Sequence, residues 1–144
     1  MKVLVTGATG FIGNYVVKEL LQHNHIVIAS SANAEKARQA EWFSNVKYKP
    51  FNFANFNADV NYFDFFDHPD LMIHLAWEGL PNYKLSFHEE INLPRHRAFL
   101  KNLIENGLHD LTVTGTCFEY GMQEGSLNEA MPTFPSNPYG KAKD

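Results

Sequence analysis

Tyr139 and Lys143 are the two side chains whose spacing most directly suggests chemistry. They stand four residues apart, so on a helix they share one face. A lysine ammonium beside a phenol can lower the phenol pKa from its usual value of about 10. The pair therefore predicts a group that can accept and donate a proton. Because Tyr-x-x-x-Lys is a common pattern, it indicates a catalytic pair only together with the motifs that precede it.

Three glycines near the N-terminus, Gly7, Gly10 and Gly13, recur at intervals of three residues between an apolar run and a helical pattern. In a strand-to-helix turn of this kind, the first glycine permits the tight turn and the second lets backbone approach a pyrophosphate. The third lets the helix pack closely on the strand, and the N–H groups of the first helical turn face the anion. No Gly-Lys-Ser/Thr follows, which excludes a P-loop.

Apolar runs alternate with helical patterns along the chain. The strands predicted from buried apolar runs are Lys2–Thr6, His25–Ala29, Val46–Phe51, Leu71–Ala76 and Leu111–Thr114. The predicted helices run from Phe11 to about His23, over Ala34–Phe43 and Phe87–Asn106, and from Pro138 onward, with a helical or irregular stretch over Val60–Phe66. This alternation predicts an α/β fold with a doubly wound parallel sheet of Rossmann type, truncated after about five strands.

Composition limits the classes of protein that fit. A chain of 144 residues predicts one domain over residues 1–144. Its 12 Lys+Arg and 16 Asp+Glu residues leave a net charge of −4, which disfavours binding to nucleic acid or to an anionic membrane. The single cysteine, Cys117, and the lack of a signal sequence or a long apolar span indicate the cytoplasm. The seven histidines show no metal-ligand spacing, so no metal site is expected.

Thr6–Gly13 resembles the glycine motif of the extended short-chain dehydrogenase/reductase family, the NAD(P)-dependent sugar-nucleotide epimerases, dehydratases and reductases. Four later segments resemble the family in the same order, and together with the glycine motif they cover essentially the whole chain. They are Ile73–Ala76, Asn92, Thr114–Gly121 and Pro138–Lys143. The resemblance implies hydride transfer between a nicotinamide and a nucleotide sugar.

The resemblance also implies three catalytic residues. Tyr139 exchanges a proton with a sugar hydroxyl, Lys143 hydrogen-bonds the nicotinamide ribose, and Thr116 holds the reacting oxygen. The 4,6-dehydratases of the family carry Asp-Glu directly after the catalytic threonine, whereas this chain has Cys117 and Phe118. This difference favours an epimerase or a 4-keto or 4-hydroxyl oxidoreductase.

A larger set of residues is expected at the cofactor by the same resemblance. These residues are Gly7, Thr9, Gly10, Phe11, Ile12, Gly13, Ser30, Ser31, Asn33, Lys36, Asn52, Phe53, Leu75, Ala76, Trp77, Asn92, Tyr139 and Lys143. Ser30 and Ser31 stand where NAD-preferring members carry an acidic residue, and Lys36 and Arg38 follow. We therefore expect NADP(H) in preference to NAD(H), with a solvated second helix as the alternative explanation of Lys36 and Arg38.

Two further groups of residues have less specific expectations. The long helix carries His88, Arg95, His96 and Arg97, which are expected on a solvated face, with a sugar-diphosphate site as the alternative. The aromatic residues between Tyr48 and Phe66 are expected in a core, with an adenine platform or a protein-binding patch as the alternative.

Members of the family are longer than this chain, and their C-terminal part forms the sugar-nucleotide pocket. We therefore expect the substrate domain to be absent and the chain to be inactive alone. The predicted function is the cofactor-binding portion of an NAD(P)-dependent sugar-nucleotide epimerase or reductase, which binds a nucleotide sugar in its full-length form. The alternative is a non-catalytic dinucleotide-binding regulatory or partner-binding module. Self-association is predicted through an apolar stripe on the long helix, formed by Leu93, Phe99, Leu100, Leu103 and Ile104.

Overall fold

The computed structural model describes residues 1–144, and its central element is a sheet of five parallel strands. They are β1 (Lys2–Thr6), β2 (Ile26–Ser30), β3 (Lys47–Tyr48), β4 (Leu71–His74) and β5 (Asp110–Val113). Their order in the sheet is β3-β2-β1-β4-β5, with Val3 opposite both Val27 and Leu71. This order confirms the predicted Rossmann-type fold. The direction of winding reverses between β1 and β4, the kind of position where open α/β sheets bind ligands.

Five α-helices accompany the strands. They are α1 (Phe11–Gln22), α2 (Ala34–Arg38), α3 (Tyr62–Phe65), α4 (Leu93–Glu105) and α5 (Pro138–Lys143). The helix predicted to continue to Phe43 ends at Arg38, and the chain then turns so that Trp42, 2% exposed, donates a hydrogen bond to Asn14 Oδ1. A tertiary contact thus takes the place of further helical turns.

β3 is shorter than the predicted strand Val46–Phe51, and Pro50 follows it. A proline has no N–H, and it fits here because β3 is at the edge of the sheet, where the N–H of residue 50 would face away from β2. The residues on either side still bond to the segment at the end of β2. Lys49 N–H donates to the Ala29 carbonyl at 2.9 Å, and Phe51 N–H donates to the Ser31 carbonyl at 3.2 Å.

The long helix predicted over Phe87–Asn106 is divided into a π-helical turn at His88–Asn92 followed by α4. Pro94 lies at the second position of α4 and cannot donate to the preceding turn. The N–H of Leu93 bonds to the His88 carbonyl, five residues back, as a π turn requires. The proline therefore accounts for a division that apolar periodicity did not predict.

Two apolar clusters cover the two faces of the sheet. The first contains Leu4, Ile28, Phe51, Phe53, Tyr62, Phe66, Met72, Phe99, Leu103 and Leu108. The second contains Val3, Val5, Ala8, Val17, Val27, Ala29, Ala37 and Trp42. Because successive residues of a strand point to opposite faces, Leu4 belongs to the first cluster and its neighbours to the second. Both faces are thus buried, as a doubly wound sheet requires.

The aromatic residues after β3, apart from Phe65 at 37% exposure, pack in or against the first cluster, and for them the expected place in a core is confirmed. Phe51 lies 4.9 Å from Phe99 and 5.0 Å from Tyr62, measured between ring centroids. Phe99 and Leu103, two members of the stripe predicted for self-association, are 0% exposed in the same cluster. Those two positions are therefore occupied within the chain, whereas Ile104 of the same stripe is 51% exposed, and self-association remains a prediction.

The chain divides into two compact units. The first consists of residues 1–76 and 98–114 and contains the sheet and both apolar clusters; the second consists of residues 77–97 and 115–144. Nothing in the length or composition indicates this division, and the single domain over residues 1–144 stays a prediction. None of the helices has both the length and the apolar character that a membrane span needs.

Candidate functional site

The glycine turn, which joins β1 to α1, leaves no room for side chains at two of its glycines. Gly7 has a φ of +70°, and a Cβ placed on it would lie 2.8 Å from the Ala76 nitrogen and 2.9 Å from the Leu75 carbonyl carbon. A Cβ on Gly13 would lie 2.2 Å from the Gly7 carbonyl oxygen. The turn therefore brings three predicted cofactor residues, Gly7, Leu75 and Ala76, into contact at the ends of β1 and β4.

The beginning of α1 has the properties of an anion site. Its N-cap, Gly10, supplies no side-chain hydrogen bond, and its first turn contains no acidic residue. The partial positive charge of the first-turn N–H groups is thus not neutralised by a side chain. The side chains of Phe11 and Ile12 are 80% and 53% exposed, so these residues would bind through their backbone. The residues present fit the pyrophosphate of a dinucleotide.

The end of β2 does not expose the two serines that were expected to favour the 2′-phosphate of NADP(H). Ser30 and Ser31 are 1% and 8% exposed. The Tyr48 hydroxyl donates to the Ser31 carbonyl at 2.9 Å, so the Ser31 hydroxyl, 3.0 Å from the Tyr48 oxygen, must be the donor of that second bond. The two hydroxyls expected to receive a 2′-phosphate are therefore buried, and one is already bonded.

The residues after β2 have mixed positions. Asn33 caps α2, because its Oδ1 accepts from the Lys36 N–H at 2.8 Å. The exposed Lys36 lines a cavity of about 230 Å³ together with Thr9 and Asn14. Thr9 and Lys36, predicted separately at the cofactor, thus share one surface beside the glycine turn.

Asn52 and Phe53, both predicted at the cofactor, have structural roles in the first unit. Asn52 caps a short 3-10 helix, Phe53–Asn55, by accepting from the Ala54 N–H at 2.9 Å. Phe53 is 6% exposed and its ring lies 5.0 Å from that of Phe99. The Phe53 side chain therefore belongs to the core, because the first apolar cluster buries it.

In the second unit, Thr116 is held by a reciprocal cap. Its hydroxyl accepts from the Phe118 N–H at 3.4 Å, and its own N–H donates to Glu119 Oε1 at 2.7 Å. This is a capping box around the 3-10 helix Cys117–Glu119, which fixes the Thr116 backbone and side chain together. Glu119 is therefore a structural partner of Thr116.

Tyr139 lies on α5 and is 8% exposed. Burial raises the pKa of Tyr139 above its ordinary value, and the Thr116 side chain opposes this rise. The lowering of the phenol pKa predicted from the nearby ammonium is thus not observed. The backbone also holds Tyr139 in place, since its N–H donates to the Tyr83 carbonyl at 3.1 Å.

Lys143 points to an aromatic ring. Its Nζ lies 4.6 Å from the ring centroid of Trp77, within the range of a cation–π contact. Burial lowers the pKa of Lys143, while the Glu119 carboxylate raises it. Trp77, which the resemblance placed at the cofactor, therefore contacts the predicted catalytic lysine in this structure.

The histidines on the long helical segment are not on a solvated face, which corrects the expectation for them. His88 and His96 are 0% and 3% exposed, and the His96 ring lies 4.9 Å from that of Trp77. Burial, with the charges of Lys143 and Arg95, lowers the pKa of His96 to about 4. The π turn rotates His88, which precedes α4, away from the predicted helical register, whereas His96 lies within α4 on its buried side.

Asn92, the last residue of the π turn, is wholly buried. Its Nδ2 donates to the Glu78 carbonyl at 2.8 Å, which anchors the turn, and its Oδ1 has no hydrogen-bond partner. A buried acceptor without a donor costs free energy. The expected role of Asn92 at the cofactor stays a prediction, and this free acceptor is the feature that supports it.

A cavity of about 430 Å³ lies against the rings that surround Tyr139. Its lining residues are Pro81, Asn82, Tyr83, Lys84, Leu85, Phe118 and Asn137. The rings of Tyr83 and Phe118 lie 5.3 Å and 6.1 Å from that of Tyr139. No sequence pattern predicts Tyr83 as a site residue, since it is one tyrosine in an irregular segment.

Comparison with known proteins identifies the family. The chain belongs to the NAD dependent epimerase/dehydratase family, which it matches over residues 3–144. This confirms the resemblance to the extended short-chain dehydrogenases/reductases.

Two curated relatives match along almost all of this chain. The dTDP-6-deoxy-L-talose 4-dehydrogenase (NAD(+)) of Aggregatibacter actinomycetemcomitans is 33% identical over 144 residues, with 100% of this chain and 52% of the relative covered. The UDP-glucose 4-epimerase of Halalkalibacterium halodurans is 28% identical, with 99% of this chain and 43% of the relative covered. The chain thus spans about half the length of these relatives.

A solved structure gives the same picture of the fold. The crystal structure of UDP-glucose 4-epimerase from Bifidobacterium longum, in complex with NAD+ and UDP, matches with a TM-score of 0.79 at 25% identity. The match includes 99% of this chain and 46% of the epimerase chain.

Proposed function

We propose that this chain is the dinucleotide-binding portion of a nicotinamide-dependent oxidoreductase or epimerase that acts on a carbinol or keto group of a nucleotide sugar. The observation that carries the proposal is the presence of two hydroxyls in one compact unit: the buried Tyr139 on α5 and Thr116, which its capping box fixes. The Thr116 side chain also opposes the effect of burial on the Tyr139 pKa, and two neighbouring hydroxyls can share the oxygen of a substrate. The glycine turn supplies a separate site that fits a pyrophosphate.

The proton chemistry follows from the state of Tyr139. The chemistry that a bound nicotinamide supplies is hydride transfer at the sugar carbon. Because burial raises the Tyr139 pKa, the phenol carries its proton at neutral pH and is ready to donate it to a carbonyl oxygen during reduction. In the reverse direction Tyr139 accepts the hydroxyl proton, which requires its pKa to fall. Thr116 orients the same oxygen in both directions.

The proposed cofactor is NAD(H). The relative from Aggregatibacter is named for NAD(+), and the family description also names NAD. The expected preference for NADP(H) has no support from these names, and the buried Ser30 and Ser31 do not offer their hydroxyls to a 2′-phosphate. Lys36 beside Thr9 is the feature that still favours NADP(H), so both dinucleotides must be compared.

The proposed substrate is a nucleotide-linked 6-deoxyhexose or its 4-keto form. The Aggregatibacter relative is named for a dTDP-6-deoxyhexose. The cavity beside the Tyr139 ring is walled by Tyr83, Leu85 and Phe118, surfaces that suit a methyl group better than a hydroxymethyl group. Lys84 adds one cation at the same cavity.

Calorimetric titration with NAD+, NADH, NADP+ and NADPH tests the dinucleotide site. We expect saturable binding of NAD(H) and weaker binding of NADP(H). If none of the four dinucleotides binds saturably, the proposal is contradicted.

A panel of dTDP-6-deoxyhexoses, UDP-glucose and their 4-keto forms, followed by nicotinamide absorbance, tests the chemistry. Turnover that survives Tyr139→Phe would exclude Tyr139 as the proton-exchanging group. Binding of dinucleotide without any turnover agrees with the expectation that the chain is inactive alone. A regulatory or partner-binding module is then the second candidate.

A further inference from the structure

Trp77 contacts two of the predicted catalytic residues, Tyr139 and Lys143, although no sequence motif indicates these contacts. One face of its indole is 4.6 Å from Lys143 Nζ. Its ring lies 6.0 Å from that of Tyr139 in an edge-to-face arrangement and 4.9 Å from that of His96. All these residues belong to the second compact unit.

The orientation of this indole is set by a chain of two hydrogen bonds. Trp77 Nε1–H donates to His88 Nδ1 at 3.0 Å, and His88 Nε2 lies 3.0 Å from the Asn82 carbonyl oxygen. An indole nitrogen can only donate, so Nδ1 must accept. The imidazole proton is therefore on Nε2 and is donated to the carbonyl. The bonds thus require one neutral tautomer of His88, and the two rings are nearly parallel, with an angle of 17° between their planes.

His88 is itself held without freedom to rotate. It is 0% exposed, and a Cβ on Gly79 would lie 3.0 Å from its Cε1, so the chain passes directly over the ring. The His88 ring also lies 5.3 Å from the Tyr139 ring. A buried imidazole with both nitrogens bonded has one orientation, and the indole bonded to it shares that restraint.

We propose that Trp77 is a positioning residue for Lys143, and that the bond from its indole to His88 fixes the ring face on which the ammonium rests. A lysine side chain has several rotamers and loses entropy when it is held in one place. The indole face attracts the ammonium, which offsets part of that entropy and of the cost of burial. Asn82, through its backbone, and His88 act on Lys143 only through the indole.

The proposal deepens the proposed function, because it rests on Lys143 serving a bound dinucleotide. In that function the ammonium must be near its working position before the ribose arrives. Preorganisation of this kind improves binding by lowering the entropy lost on association. A residue that only filled space beside Lys143 would not require a donor at Nε1 or a fixed tautomer of His88.

The first test uses NMR of the unmodified chain. Lys143 Hε protons above an aromatic face are displaced upfield by its ring current, and they lie close enough to the indole protons for nuclear Overhauser effects. The Trp77 Nε1–H should exchange slowly with solvent because it is bonded to the wholly buried His88. Lys143→Met and Trp77→Phe assign the signals. Unshifted Hε protons without Overhauser effects to the indole would overturn the proposal.

The second test separates positioning from packing with a matched pair of variants. His88→Asn keeps an acceptor near the position of Nδ1, and His88→Leu removes it while keeping an apolar side chain of similar size. We expect His88→Leu to lose the Lys143 upfield displacement and the slow exchange of the indole N–H, with both retained in His88→Asn. Equal retention in both variants would show that the bond to His88 does not position the indole.

NAD+ titration of the same variants connects the geometry to binding. We expect His88→Leu to weaken NAD+ binding about as much as Lys143→Met does, and His88→Asn to bind nearly as the wild type does. If the wild type binds no dinucleotide, the proposed function fails while the NMR results still decide whether Trp77 positions Lys143. Normal NAD+ affinity in a folded His88→Leu variant that has lost the upfield shift would overturn the functional part of the inference.

Discussion

Gly10 and Gly13 are adjacent members of one motif, but their surroundings give them different roles. A Cβ on Gly13 would lie 2.2 Å from the Gly7 carbonyl oxygen and 2.8 Å from Ala8 Cα, and both are backbone atoms that cannot move aside cheaply. A Cβ on Gly10 would meet one backbone oxygen at 3.1 Å. We expect Gly13→Ala to destabilise the chain by about 3 kcal/mol, the upper part of the range for overpacking.

Gly10→Ala is the matched control for this prediction. It should cost about 1 kcal/mol through poorer capping of α1, yet weaken NAD+ binding because its methyl group stands where the pyrophosphate must approach. Urea unfolding and calorimetric titration of both variants measure the two effects. Equal stability of the two variants would contradict the steric argument at Gly13.

The single residue His96 makes the free energy of unfolding depend on pH. Its pKa falls from 6.5 to about 4 in the folded chain, chiefly through burial. The unfolded chain therefore binds the proton more readily, so the stability that is fully present above pH 6.5 is lost as the pH falls toward 4. We expect the free energy of unfolding to decrease by at most about 3 kcal/mol over this interval.

Denaturant unfolding at several pH values measures this dependence. His96→Phe keeps a ring against Trp77 and should flatten the decrease between pH 6.5 and 4. His109→Gln changes an exposed histidine and serves as the control. A decrease of the same size in His96→Phe and wild type would assign it to other groups.

At the scale of elements, the cap of α5 determines how firmly Tyr139 is presented. The Oδ1 of Asn137 accepts from the Gly140 N–H at 2.8 Å, and Pro138 begins the helix. Asn137→Ala should destabilise α5 by about 1 kcal/mol, with faster amide exchange in the helix. Asn137→Asp retains the acceptor and should preserve exchange protection. Unchanged protection in Asn137→Ala would show that packing alone holds this helix.

The elements also show where local patterns succeed and where they fail. β1 and the start of α1 agree with the predicted boundaries because a buried apolar strand and a glycine turn are local features. The long helical segment differs because Pro94 removes a backbone donor. That proline was visible in the sequence, whereas the contact of Trp42 with Asn14, which follows the end of α2 at Arg38, was not.

For the whole molecule, binding of a dinucleotide should appear as a rise in thermal stability. A ligand that binds only the folded chain adds about 2.7 kcal/mol at a concentration 100 times its Kd. Thermal unfolding with increasing NAD+ should therefore show a melting temperature that rises with concentration, and NADP+ should require higher concentrations. Gly10→Ala is the control, because it should weaken binding while retaining the fold. A melting temperature that rises equally in the control would indicate nonspecific stabilisation.

The sequence by itself determined the features that depend on local backbone chemistry and on periodicity. The glycine turn, the alternation of strands and helices, the Rossmann-type sheet and the family all follow from residues close together in the chain. Only the tertiary structure decided which way the functional side chains point. Lys143 rests on Trp77, His88 and His96 are buried, and Phe53 belongs to the core. These positions depend on aromatic rings that the fold brings together from distant segments. No local sequence pattern predicts their burial or their hydrogen bonds.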